Sequence, residues 1–188
     1  LNRSADGGYP TETANMNWEY RSLLPAAFAP ESRVWIYQAS RLFTLPEALR
    51  IEGVLEGFTE NWQSHGAPVR GFATLFFGRF VVIMADETLT GVSGCSTDAS
   101  VRVVKAIEAE TGVPMFDRRM LAFVREGKVE LLPMGQLPYA WANGFIGPDT
   151  LFFDNTVATK RDLEERWMVP VGSSWLRTRL GAAPASTA

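Results

Sequence analysis

The sequence predicts an α+β fold of the ferredoxin-like split βαβ type, βαββαβ with an added edge strand, followed by an aromatic-rich C-terminal arm. Three observations predict it. Two amphipathic helical stripes are separated by a hairpin; the second arm of that hairpin carries no polar residue; and a further hairpin follows the second stripe.

Residues 1–15 are polar and turn-rich without periodicity and read as an extension ahead of the fold, with Met16 as a natural start. Leu23 to Pro30 is apolar but rich in Pro and Ala, a lead-in along the surface. Arg33 to Ala39 is β-branched and aromatic, which predicts the first strand. Thr44-Leu45-Pro46-Glu47 has the spacing of a capping box, with proline in the first turn, where its missing N–H goes unused. Ala48, Ile51, Leu55, Phe58 and Trp62 then form one apolar stripe, and Gly66 and Pro68 stop it, placing His65 at the helix's C-terminal end.

Val69–Phe77 and Phe80–Ala85 predict a hairpin around Gly78-Arg79, with glycine at the positive-φ position of a type II′ turn. Its wholly apolar second arm belongs in a sheet interior, and the first arm, with Arg70 and Thr74, suits an edge. Ala99, Val103, Val104 and Ile107 predict a second helix, ended by Gly112 and Pro114. Arg119–Val124 and Val129–Pro133 predict a second hairpin around Glu126-Gly127. In the expected sheet the first and third strands are central, and both helices cover one face. Residues 134–180 form the arm, with a short helix near Lys160 to Trp167, and it packs on the sheet's open face or crosses to another subunit. The domain is thus expected over residues 16–180, with 181–188 a disordered tail.

A chain of 188 residues that is 46% hydrophobic fits one domain with its own core. A formal charge of -3 lacks the basic excess of a general nucleic-acid binder. No membrane span is predicted, since Leu75 to Ala85 is too short for a membrane helix. A single cysteine forms no internal disulfide, and no signal-like segment is evident, which points to the cytoplasm. One cysteine and one histidine do not make a protein-only zinc site, so no metal or cofactor is expected.

Val34 to Ala39, Ser93-Gly94-Cys95-Ser96-Thr97-Asp98-Ala99-Ser100 and Leu163 to Val171 resemble an uncharacterised family of small bacterial proteins, some of which carry the label "ABC transporter ATPase". The resemblance runs from about Leu23 to Leu180 and implies no catalytic role. The label also lacks its chemistry, because a P-loop needs Gly-x-x-x-x-Gly-Lys-Ser/Thr after a strand and none occurs.

The candidate site is the start of the second helix. A cysteine in a first helical turn sits near unpaired N–H groups that favour thiolate, and the split βαβ topology brings His65 to the same end. Cys95 as nucleophile, His65 as base and Asp98 as orienting group form one expected constellation. Ser93, Gly94, Ser96 and Thr97 could bind an anion there. The plainer readings stand beside these: a buried inert thiol, a cation at a helix end, and capping hydroxyls. Arg118-Arg119 and Lys160-Arg161, set against Asp117 and Asp162, read as solvated charge pairs. Two functions follow: a non-catalytic module acting through homodimerisation or a protein partner docked on the arm, or a thiol-dependent enzyme or small-molecule-binding protein.

Overall fold

The computed structural model describes residues 16–64, 66–86 and 94–181, with the backbone alone at 94–96. Its elements are β1 (Arg33–Gln38), α1 (Leu45–Glu60), the short pair β2 (Gln63–Ser64) and β3 (Ala67–Pro68), β4 (Arg70–Phe76), β5 (Phe80–Asp86), α2 (Gly94–Thr111), β6 (Met120–Arg125), β7 (Lys128–Pro133), α3 (Leu137–Ala142), β8 (Leu151–Phe153), α4 (Lys160–Arg166) and β9 (Met168–Pro170). The α+β class holds.

The capping box starts α1 as the spacing predicts. The Glu47 carboxylate accepts from the Thr44 N–H at 2.7 Å and from its hydroxyl at 3.0 Å, and Arg41 grips it with two further bonds of 2.8 and 2.9 Å. Arg41 first, then the Thr44 amide, hold the Glu47 carboxyl at about 2 against an ordinary 4.5. A carboxylate depressed in the folded state contributes stability that is present above its unfolded pKa and lost as pH falls through the folded one. Glu47→Gln is therefore expected to lower the urea midpoint near neutrality and to match the parent near pH 2. A deficit of equal size at both pH values would show that the carboxylate charge plays no part.

In the first sheet, β5 lies between β1 and β4, antiparallel to both. All six residues from Phe80 to Ala85 are fully buried, which accounts for the absence of polar residues there. Val81, Ile83 and Ala85 face α1 and α2 in one core; Phe80, Val82 and Met84 face the opposite way into a second. Burying each such large side chain contributes about 1.5–3 kcal/mol.

The expected single sheet is not what the chain forms. The 120–125 strand does not flank β1; it pairs with β7 and β8 in a second antiparallel sheet of order β7-β6-β8-β9. One sheet with both helices on one face would leave Val34, Ile36, Phe72, Phe76, Phe80, Val82 and Met84 uncovered. The second sheet covers that face with Ala122, Val124, Val129, Leu131 and Phe153. Its own outer face, Leu121, Phe123, Phe152 and Val169, is covered in turn by α3 and by residues 171–180. The layers are therefore helix, sheet, sheet and helix, and β1 is an edge strand instead of a central one.

Two further expectations change. Within the lead-in at 23–30, Leu24 and Phe28 are core, and just ahead of it Tyr20 is fully buried, meets the Trp167 ring edge-on at 4.8 Å and donates its hydroxyl to the Leu163 carbonyl at 2.6 Å. Burial pushes the Tyr20 phenol up to about 12. The first hairpin turns at Phe77-Gly78, with φ of 54° and 60° and an Arg79 N–H to Phe76 carbonyl bond of 3.1 Å, a type I′ turn in place of II′. The left-handed φ at Phe77 costs about 1–2 kcal/mol. Its ring offsets this by packing on Trp18, Phe153 and Trp167, all within 6 Å. Arg79 is thereby turned inward, buried, with one N–H donated to the Ala39 carbonyl at 3.0 Å. The second hairpin forms around Glu126-Gly127 as expected, both with positive φ.

Candidate functional site

The helix carrying the predicted site opens at Gly94, as its sequence indicates, and its first half lies beside the end of α1. Phe58, Asn61 and Trp62 line a shallow groove with Ala99, Arg102 and Val103. His65 and Ser93 lie outside the described residues, as do the side chains of Cys95 and Ser96. The Thr97 carbonyl accepts the Ser100 hydroxyl at 2.8 Å, and Asp98 is exposed. Ser100, fully buried, in turn shares a 2.9 Å bond with the Tyr37 hydroxyl, tying the first turns of α2 to β1. Asp86, the last residue of β5, is 1% exposed and paired with Arg70 at 3.0 Å. Among the described residues no group of three or more His, Cys, Asp or Glu could hold a metal ion, and no helix is long and apolar enough to cross a membrane.

A different site emerges where β1 ends its sheet. The Val34 N–H donates to the Ala158 carbonyl and the Ser40 N–H to the Pro114 carbonyl, each at 2.9 Å, so the even-numbered residues point away from β5. The odd-numbered ones face β5, as the Ala39 N–H to Arg79 carbonyl bond of 2.8 Å shows. Between the two blocked ends, the amides of Ile36 and Gln38 face outward and have no protein acceptor among the described residues. Ile36 and Gln38 both line a cavity of about 190 Å³.

Ile36, Phe116, Leu121, Phe152, Phe153 and Trp175 supply its apolar walls, and Met115, Met120 and Met134 add three thioethers. Thioether side chains adapt their shape to an occupant more readily than branched ones. The polar wall is held by a fixed network. Gln38 donates through Nε2 to the Met120 carbonyl at 3.0 Å and accepts from Asn155 Nδ2 at 2.9 Å, while Asn155 Oδ1 accepts from Trp167 Nε1 at 3.0 Å. The neighbouring Asp154, 3% exposed, accepts from the Thr156 N–H and hydroxyl and from Trp175 Nε1, and pairs with Arg166 at 3.2 Å. Thr156 and Trp175, which Asp154 orients, both line the cavity.

Two charged residues line the cavity, Asp117 and Arg118. Asp117 is taken by Arg119, through its N–H at 3.0 Å and its Nε at 3.3 Å, whereas Arg118 has no ion pair among the described residues. Burial raises the pKa of the Tyr37 phenol; the Ser100 bond and the Arg118 charge oppose the rise. The arrangement can enclose a small apolar body and offer it donors at one end.

Sequence reading missed this site because its residues come from five separate stretches. Two signals pointed to it: Gln38 directly after the run Val34 to Tyr37, and Asp154-Asn155-Thr156 directly after Phe152-Phe153. Comparison with family models, curated proteins and solved structures returns no match for this chain.

Proposed function

We propose that the protein is a non-catalytic binding module that takes a small, largely apolar molecule into the cavity at the edge of β1. The observation that carries this reading is the cavity itself: about 190 Å³ of space between two well-packed sheets, lined by Ile36 and Gln38, whose amides face outward. An apolar cavity of about 150 Å³ accepts benzene. A concave apolar site with a few fixed polar groups is the usual form of a small-molecule site.

The expectation that the arm docks on a partner or a second copy loses its motive, because Phe152, Phe153, Trp167 and Leu176 are buried within this chain. The thiol-dependent alternative rests on Cys95 and His65, and no second feature supports it. The resemblance to the small bacterial family, a bacterial source and a cytoplasmic setting belong to the same proposal.

Toluene is the probe for it. Binding to the folded state alone raises the unfolding temperature in a saturable way. The expected result is such a rise in the parent and none in Met134→Trp, whose indole fills the space, with the unliganded unfolding curve of the variant confirming its fold. No shift in the parent, or an equal shift in both, overturns the reading.

A further inference from the structure

Resting on that reading, we infer that the ligand of the β1-edge cavity is a small monocarboxylic acid, its apolar body among the methionines and its carboxylate between Arg118 and the Gln38 amide. The body is limited by volume to about the size of a single aromatic ring with one substituent.

Three features specify the acid. Arg118 lines the cavity and has no carboxylate partner among the described residues, whereas most other arginines of this surface are engaged: Arg119 with Asp117, Arg166 with Asp154 and Asp162, Arg161 with Glu31. Among the described residues the Gln38 N–H has no acceptor, yet Gln38 is only 9% exposed, and a buried donor without an acceptor is costly unless something fills the position. Arg118 and Gln38 line the same cavity, and the Gln38 side chain is bonded to the carbonyl of Met120, two residues from Arg118. A guanidinium with a backbone N–H is a donor set suited to a carboxylate. The Ile36 amide, about 7 Å further along the strand, meets a second acceptor on the ligand or a water.

A longer extended peptide does not fit, because Ala158 and Pro114 close the strand edge at both ends. Among the described residues that line the cavity, Asp117 is the one carboxylate, and it is paired with Arg119.

Benzoate, benzamide and toluene are titrated by calorimetry into the full chain, its Arg118→Gln variant and its Arg119→Gln variant. The expected result is benzoate binding about tenfold tighter than benzamide or toluene. That preference disappears in Arg118→Gln, where toluene binding is unchanged, and persists in Arg119→Gln. If toluene binds but benzoate binds no better, or Arg118→Gln leaves the preference intact, the acid is refuted while the cavity reading stands. If none of the three binds, both fall.

Discussion

Replacing Trp167 with alanine is expected to destabilise the fold by about 3–5 kcal/mol, the range for removing a large buried aromatic. The indole is fully buried at the centre of the inter-sheet core. It touches Tyr20, Phe76, Phe77, Phe80 and Phe153, with ring centroids between 4.8 and 5.8 Å. These partners come from the lead-in, the first hairpin and β8, so one side chain joins three separated parts of the chain. Set against a total stability of about 5–15 kcal/mol, such a loss is large enough to unfold the domain. Trp167→Phe keeps most of the packing and loses the Nε1 bond to Asn155, and is expected to cost about 1–2 kcal/mol. Urea denaturation followed by circular dichroism orders the two variants. An alanine variant within about 1 kcal/mol of the parent would mean that the two sheets are not held together by this ring cluster.

The second large effect is expected at Asp154. Its carboxylate is buried and serves Thr156, Trp175 and Arg166 at once. Asp154→Ala leaves the Thr156 N–H and hydroxyl, the Trp175 Nε1–H and one Arg166 N–H without their acceptor, and because these donors are only partly buried the cost is about 1–3 kcal/mol. Arg166 keeps Asp162 at 3.0 Å, which holds the loss below that of a fully stranded charge. Asp154→Asn retains an acceptor for Trp175 and Thr156 and is expected to cost about half as much. The two variants should separate further in toluene uptake, since only alanine frees the Trp175 and Thr156 walls of the cavity. Equal loss of uptake in both would show that charge, and not the orientation of these side chains, shapes the site.

Local features of the fold were legible in the sequence where a short stretch determines them. The α1 capping box, the apolar β5 run, the Glu126-Gly127 turn and the α4 helix each depend on a few adjacent residues and occur where the sequence puts them. What was not legible is which edge each strand takes. Met120–Arg125 is apolar on both faces, which suits a central strand in either sheet, and only the uncovered face of β1-β5-β4 decides in favour of a second sheet. The type I′ turn at Phe77 was hidden for a related reason: a phenylalanine at positive φ is disfavoured locally and is held by rings distant in sequence. The Cys95 loop drew attention because its chemistry is visible in one stretch. The β1-edge cavity drew none, since it is assembled from β1, residues 115–121, Met134 and the residues around Asp154 and Trp175. Arg118, read in sequence as half of a solvated pair, acquires its significance only when Asp117 proves to be occupied by Arg119.

The methionines provide the most direct test that this cavity is a binding site. Met115, Met120 and Met134 line it, whereas Met84 is fully buried in the inter-sheet core away from its wall. With the methionine ε-methyl groups labelled, titration with toluene followed by methyl NMR is predicted to move the Met115, Met120 and Met134 resonances along one saturable curve while Met84 stays still. Unmoved cavity methyls, or a drift shared equally by Met84, would contradict the account.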